Sequence, residues 1–359
     1  MKIIKAIWFD KIVASKRLRL YVWLSLATQI LIVVTGGLVR LTASGLGCPT
    51  WPKCTDESIV STPEMGIHGI IEFGNRLLTI VLLVVALLTF ITIFRTHPAK
   101  KQILGVTIAF FANMVLLVVS FVLMVTQGVQ WYLVALWVVI FAVAAYTVGT
   151  FIYRANKALC RSTLVPAFGL GLGIIAQAVL GGITVLTQLN PWIVGLHFVV
   201  SAYLIALASV LVFRALPREM SSVSRLASAL RWPVVAVSAV TILIGVLVTG
   251  AGPHAGDIDT PRNGLDLEIW QHYHSYPGYL MAILILVALI AQWRAAPGFR
   301  NYPTRSLILL FVATCIQAAV GVIQARTGVP PFLVALHMLG AAVLSSMVTF
   351  YWLTCKKTK

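Results

Sequence analysis

The chain has 359 residues, of which 60% are hydrophobic and only 10% are charged. These values exclude a water-soluble domain, and apolar runs longer than about 18 residues recur along the sequence. A formal net charge of +17 would favour nucleic acid binding in a soluble protein. In a membrane protein it indicates instead that basic residues are gathered on one side of the bilayer.

The apolar runs predict ten membrane-spanning helices in an all-α polytopic protein. We place them at residues 21–39, 67–94, 102–126, 130–153, 164–187, 192–213, 232–249, 269–293, 306–325 and 331–354. Lys and Arg are abundant in the N-terminal segment, the even-numbered connections and the C-terminal tail. The odd-numbered connections hold only Arg40, Lys53, Arg262 and Arg326. This bias predicts that both termini face the cytoplasm and that loops 40–66 and 250–268 face outward.

The sequence contains an internal repeat. Residues 177–197 resemble residues 317–337 at a constant offset of 140, and the identical pairs include Gln177 and Gln317, Gly181 and Gly321, Pro191 and Pro331, and His197 and His337. Self-similarity at a fixed offset in a membrane protein indicates two pseudo-symmetric halves. Asn75 precedes His197 by 122 residues, whereas the matching His274 precedes His337 by 63, so the first half holds 122 − 63 = 59 extra residues.

These extra residues correspond to two helices and their turns. We therefore expect two pseudo-symmetric four-helix bundles and an inserted helical hairpin at 102–153. The N-terminal bundle comprises 21–101 and 154–214, and the C-terminal bundle comprises 232–354. Residues 1–20 form a cytoplasmic N-terminus and residues 215–231 a cytoplasmic linker.

Histidines recur at matched depth in both halves. His197 and His337 lie about six residues inside their helices, or roughly 9 Å from the outward end. His68, His272 and His274 lie in the first turns of helices two and eight. A single buried histidine is most often merely hydrogen-bonded, but ionisable residues within a membrane are rare and typically functional. Neutral imidazole binds zinc, copper and haem iron alike, and the absence of cysteine or carboxylate beside the deep histidines favours haem.

Glu72 is the only carboxylate within a predicted span. It either forms a structural ion pair with Arg76, one turn away, or acts as a base or charge stabiliser beside a cofactor. His68, Glu72, Asn75 and Arg76 share one helical face. Cys48 and Cys54 are the only cysteines in an outward loop, where an oxidising compartment favours a disulfide with a redox role.

Together these motifs resemble the haem A synthase family, membrane enzymes that oxidise a methyl group of haem O to a formyl group. The resemblance is carried by T-G-G-L-V-R-L-T-A-S-G-L-G-C-P-T-W-P-K-C at 35–54, I-E-F-G-N-R at 71–76, T-G-A-G-P-H-A-G-D at 249–257 and L-V-A-L-H-M-L-G-A-A at 333–342. It covers nearly the whole chain except 102–153.

The resemblance implies two haem sites near the extracytoplasmic face of the plasma membrane. It implies that His274 and His337 ligate a resident haem b, that His197 ligates the substrate haem O, and that Glu72 is the catalytic carboxylate. Cys48 and Cys54 would be the exported redox pair. Haem iron is then the only expected metal. The implied partners are haem O synthase (protohaem farnesyltransferase), an electron acceptor in the membrane or a thiol–disulfide partner outside, and the lipid bilayer, with no nucleic acid.

One departure from the family concerns Asn75, which stands where many members have a histidine. Either His68, seven residues earlier, supplies the second ligand of the substrate haem, or that haem is held on one side only; we favour His68. Further side chains are expected to contact haem. They are Arg40, Arg76 and Arg326, whose guanidinium groups match haem propionates, and Asn75, His254 and His272.

Two other functions remain open from the residues alone. A di-haem b-type electron carrier would place haems at both membrane faces, whereas every candidate ligand here lies on the outward side. A repeat-built transporter would need polar residues at the midplane of both halves. Glu72 is matched by the uncharged Gln271 in the second half, which disfavours a transporter.

Overall fold

A computed structural model of the chain describes residues 15–127, 130–159, 162–216 and 222–354. These residues form ten long α-helices and no strand. The helices are α1 (Leu18–Leu41), α2 (Gly66–Thr96), α3 (Lys100–Gln127), α4 (Trp131–Ala158), α5 (Leu164–Leu186), α6 (Pro191–Ala215), α7 (Arg225–Ala251), α8 (Leu267–Ala295), α9 (Tyr302–Arg326) and α10 (Pro331–Thr354). All ten are long and apolar enough to cross a membrane, which confirms the predicted helical membrane fold.

Several helices extend beyond the predicted apolar runs. The largest difference is at α7, which begins at Arg225 rather than at residue 232 because the Ser224 side chain caps it and accepts a hydrogen bond from the backbone N–H of Ala227. Hydropathy identifies only the apolar part of a helix, so a polar first turn is not included in the predicted span. The predicted N-terminus 1–20, the linker 215–231 and the C-terminal tail lie partly outside the described residues.

The chain divides into two compact units. Of the described residues, one unit contains those at 15–18 and 88–168, and the other contains those at 19–87 and 169–354. The first unit is built around α3 and α4, the helices of the predicted inserted hairpin. Every residue that the sequence singled out for chemistry belongs to the second unit.

The first unit has an aromatic core. The rings of Phe151 and Phe168 stack with centroids 4.3 Å apart, and Phe90 and Phe110 pack against Phe168 at 5.9 and 5.1 Å. The buried Asn113 side chain of α3 donates a hydrogen bond of 3.0 Å to the Ile140 carbonyl of α4, which ties the two helices together.

The same unit contains one histidine, which is not among those predicted to bind or contact haem. His97, between α2 and α3, is buried, and its Nε2 lies 3.2 Å from the Ser162 hydroxyl. Burial lowers the pKa of His97, which favours the neutral form of the imidazole.

The second unit contains the apolar core of the C-terminal bundle. Helices α7, α8, α9 and α10 pack around buried residues that include Ile285, Leu310 and Tyr351. The Tyr351 hydroxyl donates a 2.6 Å hydrogen bond to the Ala227 carbonyl, so this buried polar group is satisfied. In the N-terminal bundle, Leu82 and Ala86 of α2 pack with Ile174 of α5. These cores hold the helices on which the candidate site residues stand.

The 140-residue repeat has a structural counterpart in the turns between α5 and α6 and between α9 and α10. Gln188 and Leu189 both have positive φ, as do Gly328 and Val329 at the equivalent positions. The Leu189 N–H donates to the Thr184 carbonyl at 2.7 Å, and the Val329 N–H donates to the Gln324 carbonyl at 2.9 Å. The equivalent turns deliver His197 and His337 to the same position in each half.

Candidate functional site

In the C-terminal half, His274 of α8 and His337 of α10 face each other. Their ring centroids are 6.1 Å apart and the rings are inclined at 71°. Two imidazoles on opposite sides of one metal ion would have centroids about 6 Å apart, from two metal–nitrogen bonds of about 2 Å and two ring radii of about 1 Å. The pair therefore has the separation of two axial ligands.

A glycine on a neighbouring helix stands against each of these rings. A Cβ at Gly245 of α7 would lie 2.8 Å from Cε1 of His274, and one at Gly321 of α9 would lie 3.0 Å from Cε1 of His337. Any larger residue would therefore displace the ring. The absence of a side chain at Gly245 and Gly321 leaves space for the imidazole rings. Small residues at these positions also allow the helices to pack closely.

His337 and His197 are supported in the same way. Gln317 of α9 donates a 2.9 Å hydrogen bond from Nε2 to the His337 carbonyl, and Gln177 of α5 donates an equal bond to the His197 carbonyl. Gln177 also donates to the Ser201 hydroxyl at 2.5 Å. Each glutamine thus bonds the helical turn that carries the histidine. The histidine backbone is held by the same hydrogen bond in both halves.

The imidazoles of His197 and His337 contain buried Nδ1 atoms that have no hydrogen-bond partner among the described residues. Buried polar groups are normally paired, so these atoms mark a place where a ligand or water completes the arrangement. The histidines present, their separation and the glycines beside them fit haem.

In the N-terminal half, Asn75 stands at the position that the sequence repeat matches to His274. A Cβ at Gly36 of α1 would lie 3.9 Å from Nδ2 of Asn75, and the Thr35 hydroxyl lies 2.8 Å from Oδ1 of Asn75. His68 is exposed in the first turn of α2, and its Nδ1 lies 2.9 Å from the Ser44 hydroxyl. The predicted ligation of the substrate haem by His68 stays a prediction.

Glu72 is 5% exposed and is held by two groups. Its Oε2 accepts a 2.6 Å hydrogen bond from the backbone N–H of Cys48, and its Oε1 accepts from the guanidinium group of Arg76, including a 3.2 Å bond from Nε. The two interpretations of Glu72 are thus compatible, because the ion pair exists and also orients a buried carboxylate. The contact with Cys48 links this carboxylate to the loop that carries the disulfide.

Arg76 anchors that loop as well. Besides Glu72, its guanidinium group donates to the carbonyls of Cys48 at 2.9 Å, Lys53 at 3.0 Å and Thr50 at 3.1 Å. Cys48 and Cys54 are both fully buried and form a disulfide. The guanidinium group of Arg76 therefore holds both the disulfide loop and the Glu72 carboxylate in place.

The disulfide loop also contacts α5. A Cβ at Gly182 would clash with the indole ring of Trp51, so Trp51 lies directly on the helix backbone at this glycine. The neighbouring Gly181 faces His197, where a Cβ would lie 3.4 Å from Cε1. The loop therefore covers the N-terminal half close to its deep histidine.

The remaining predicted haem contacts lie in different places. Arg40 donates a 2.6 Å hydrogen bond from Nη2 to the Thr249 carbonyl, and its buried Nε has no partner among the described residues. Arg326 and His272 are exposed. His254 lies with Nε2 2.9 Å from the Val329 carbonyl, and thereby ties the second predicted outward loop to the α9–α10 turn.

A shallow, open depression lies on the surface of the C-terminal half. Its lining includes Arg262, Glu268 and Gln271, together with Pro253 and Val329 from the adjoining turns. Neither His274 nor His337 lines it, so it is separate from the facing histidines.

The chain is similar to known proteins. A family model described as cytochrome oxidase assembly protein (COX15-CtaA) matches residues 19–140. The chain is 22% identical over 365 residues to a haem A synthase of Listeria monocytogenes (serotype 4a, strain HCC23), covering 96% of this chain and 97% of the relative. Over nearly its whole length the chain is thus similar to a haem A synthase.

Two shorter similarities are also found. A haem A synthase of Lysinibacillus sphaericus (strain C3-41) is 34% identical over 96 residues, which cover 26% of this chain and 29% of the relative. A protohaem IX farnesyltransferase of Thermus thermophilus is 34% identical over 92 residues, which cover 24% of this chain and 15% of that protein.

Sequence reasoning overlooked some supporting residues. Gln177 and Gln317 were visible as identical residues of the repeat, but their bonds to the histidine carbonyls were not predicted. The hydrogen bond from Cys48 to Glu72 has no signal in the spacing, because the two residues meet only when the loop folds over α2.

Proposed function

We propose that the chain is a plasma-membrane enzyme that oxidises a methyl group of haem O to a formyl group, giving haem A. The observation that carries this proposal is the buried Glu72 carboxylate in the half that holds His197, while the other half holds the paired His274 and His337. One half thus combines a candidate ligand with an acid–base group. The other half has two facing ligands and no equivalent carboxylate, since Gln271 matches Glu72.

The two halves accordingly take different haems. The C-terminal half holds a resident haem b between His274 and His337, and the N-terminal half receives the substrate haem O at His197. When bound, the resident haem supplies one-electron transfer. Arg40 has a buried, unpartnered Nε and is the arginine best suited to pair with a haem propionate.

The methyl group is oxidised in two hydroxylations that take oxygen from water. Each replaces a C–H bond by a C–OH bond and releases two protons and two electrons; the geminal diol formed by the second then loses water to leave the formyl group. The electrons pass to an electron acceptor of the membrane. Glu72 receives a proton or stabilises positive charge at the methyl carbon, and Arg76 together with the Cys48 N–H holds its oxygens in one orientation.

The proposed partners follow from the substrate. Haem O is a membrane-bound product of a farnesyl transfer to haem, so the enzyme that makes it must release it near this chain. The similarity of part of the chain to a protein named protohaem IX farnesyltransferase supports a place for the chain in the same pathway. The Cys48–Cys54 disulfide is proposed to exchange electrons with a thiol–disulfide partner on the outer face.

The test is pigment analysis of purified protein produced together with a haem O synthase. Wild type is compared with Glu72→Ala and with Glu64→Ala, a matched control that removes an exposed carboxylate just before α2. Extracted haems are separated by chromatography and identified by mass.

Haem A in wild type and in Glu64→Ala, with haem O accumulating in Glu72→Ala, is the expected result. Haem b alone in all three proteins would contradict the proposal and favour an electron carrier. Protein without haem would contradict both functions.

A further inference from the structure

Three imidazoles each stand against a glycine of the preceding helix: His197 against Gly181, His337 against Gly321, and His274 against Gly245. In the sequence repeat, Asn75 of the N-terminal half matches His274 of the C-terminal half. The N-terminal half therefore repeats one imidazole of the facing pair, His197, and lacks the other.

Asn75 is unable to take over as a metal ligand of the same kind. Its amide nitrogen is a donor without an available lone pair, and its Oδ1 is engaged by the Thr35 hydroxyl at 2.8 Å. This bond leaves Nδ2 on the side of Gly36, where a Cβ would lie 3.9 Å from it. Asn75 thus presents N–H groups where His274 presents a ring nitrogen.

His68 lies at a different level in the helix bundle. It is the third residue of α2, about 3 Å along the axis from Gly66, whereas Asn75 is about 13 Å and His197 about 9 Å inside their helices. Its side chain is exposed, and its Nδ1 lies 2.9 Å from the Ser44 hydroxyl. The backbone of His68 is also fixed, because a Cβ at Gly47 would collide with the His68 carbonyl group, so the disulfide loop lies directly against it.

We propose that the N-terminal half binds its haem through His197 alone and that Asn75 offers a hydrogen bond to whatever small ligand occupies the opposite side of the iron. This inference rests on the proposed function, since it assumes that the half receives a haem. A five-coordinate iron faced by an amide donor differs from the six-coordinate iron between His274 and His337, and the polarity of such a distal position governs small-ligand binding.

The experiment is electron paramagnetic resonance and optical spectroscopy of the full-length ferric protein, purified after production with a haem O synthase. Wild type is expected to contain one high-spin and one low-spin haem per chain. Asn75→His should convert the high-spin haem to low-spin, whereas His68→Ala should leave both signals unchanged. In Asn75→His and in His68→Ala, the low-spin signal of the C-terminal half reports that the chain is folded.

A reciprocal variant and a ligand titration complete the test. His274→Asn gives the C-terminal half the residue found in the N-terminal half, so a second high-spin haem is expected. Azide should bind the high-spin haem of wild type, and Asn75→Leu should weaken azide binding roughly tenfold through the loss of one hydrogen bond.

The outcomes separate this inference from the proposed function. Two low-spin haems in wild type, one of which becomes high-spin in His68→Ala, would overturn the inference and identify His68 as the ligand. A high-spin haem that is insensitive to His197→Ala would also overturn it. Chromatography of the extracted pigment decides independently whether haem A is made, and a chain without haem in its N-terminal half would overturn both.

Discussion

Replacing Arg76 by alanine removes the guanidinium group that joins α2 to the Cys48–Cys54 loop. In the structure this group bonds Glu72 and three loop carbonyls, at distances of 2.9 to 3.1 Å for the carbonyls. Hydrogen bonds to charged groups contribute roughly 1.5–3 kcal/mol each when buried, but the Arg76 side chain is 21% exposed. Allowing for solvent screening, we assign about 3 kcal/mol to the whole anchor.

The anchor is linked to the redox state of the disulfide. The anchor stabilises the loop conformation in which the two sulfur atoms are bonded. Loss of the anchor therefore destabilises the oxidised state relative to the reduced state, and the disulfide becomes easier to reduce. Because about 1.4 kcal/mol corresponds to 30 mV for a two-electron couple, a 3 kcal/mol anchor corresponds to a shift of about 60 mV. If the reduced loop keeps half of the anchoring energy, the shift is about 30 mV.

The assay is a redox titration of the purified chain in glutathione buffers, followed by alkylation of free thiols with a mass tag. The other three of the five cysteines are replaced by serine, so that only Cys48 and Cys54 report. Arg76→Ala is expected to raise the midpoint potential by about 30–60 mV. The matched control is Arg262→Ala, which removes a guanidinium group bound to the carbonyls of Pro253 and Thr260 in a loop without cysteines.

A double variant tests the reasoning further. Arg76→Ala leaves the Glu72 carboxylate buried without its cation, a situation that typically destabilises by about 3–5 kcal/mol. Glu72→Gln removes that charge, so the double variant should be less destabilised than the sum of the two single variants. An unchanged midpoint potential in Arg76→Ala, or strict additivity in thermal stability, would refute the proposed coupling.

Three further predictions concern other contacts. Gln317→Leu removes the support of the His337 carbonyl and should lower haem retention in the C-terminal half, measured as the haem-to-protein ratio after gel filtration. Gly182→Val should push the Trp51 ring off α5, and the resulting exposure of the loop should be detected as faster proteolysis and altered tryptophan fluorescence. Phe151→Ala removes a ring that is 1% exposed and should cost about 3–5 kcal/mol, seen as a lower unfolding temperature; an unchanged value would contradict the aromatic core.

Much of the fold was predictable because a bilayer imposes strong constraints on sequence. Apolar runs of sufficient length must become helices, since every backbone polar group needs a partner within its own segment. The ten spans were therefore predicted correctly, and the starts of α7 and α9 were missed only where the helices leave hydrocarbon. The repeat offset of 140 was also visible, and it reappears in the turns at Leu189 and Val329.

The sequence by itself determined the helices, the pseudo-symmetry and the residue types at the candidate site, including the replacement of a histidine by Asn75. Only the tertiary structure decided which of these residues meet. Helical periodicity determines which residues share one face of a helix. Which residues of different helices meet depends on crossing angles and loop paths that no local pattern encodes. The approach of His274 to His337, and the contact of the Cys48 backbone with Glu72, follow from that packing.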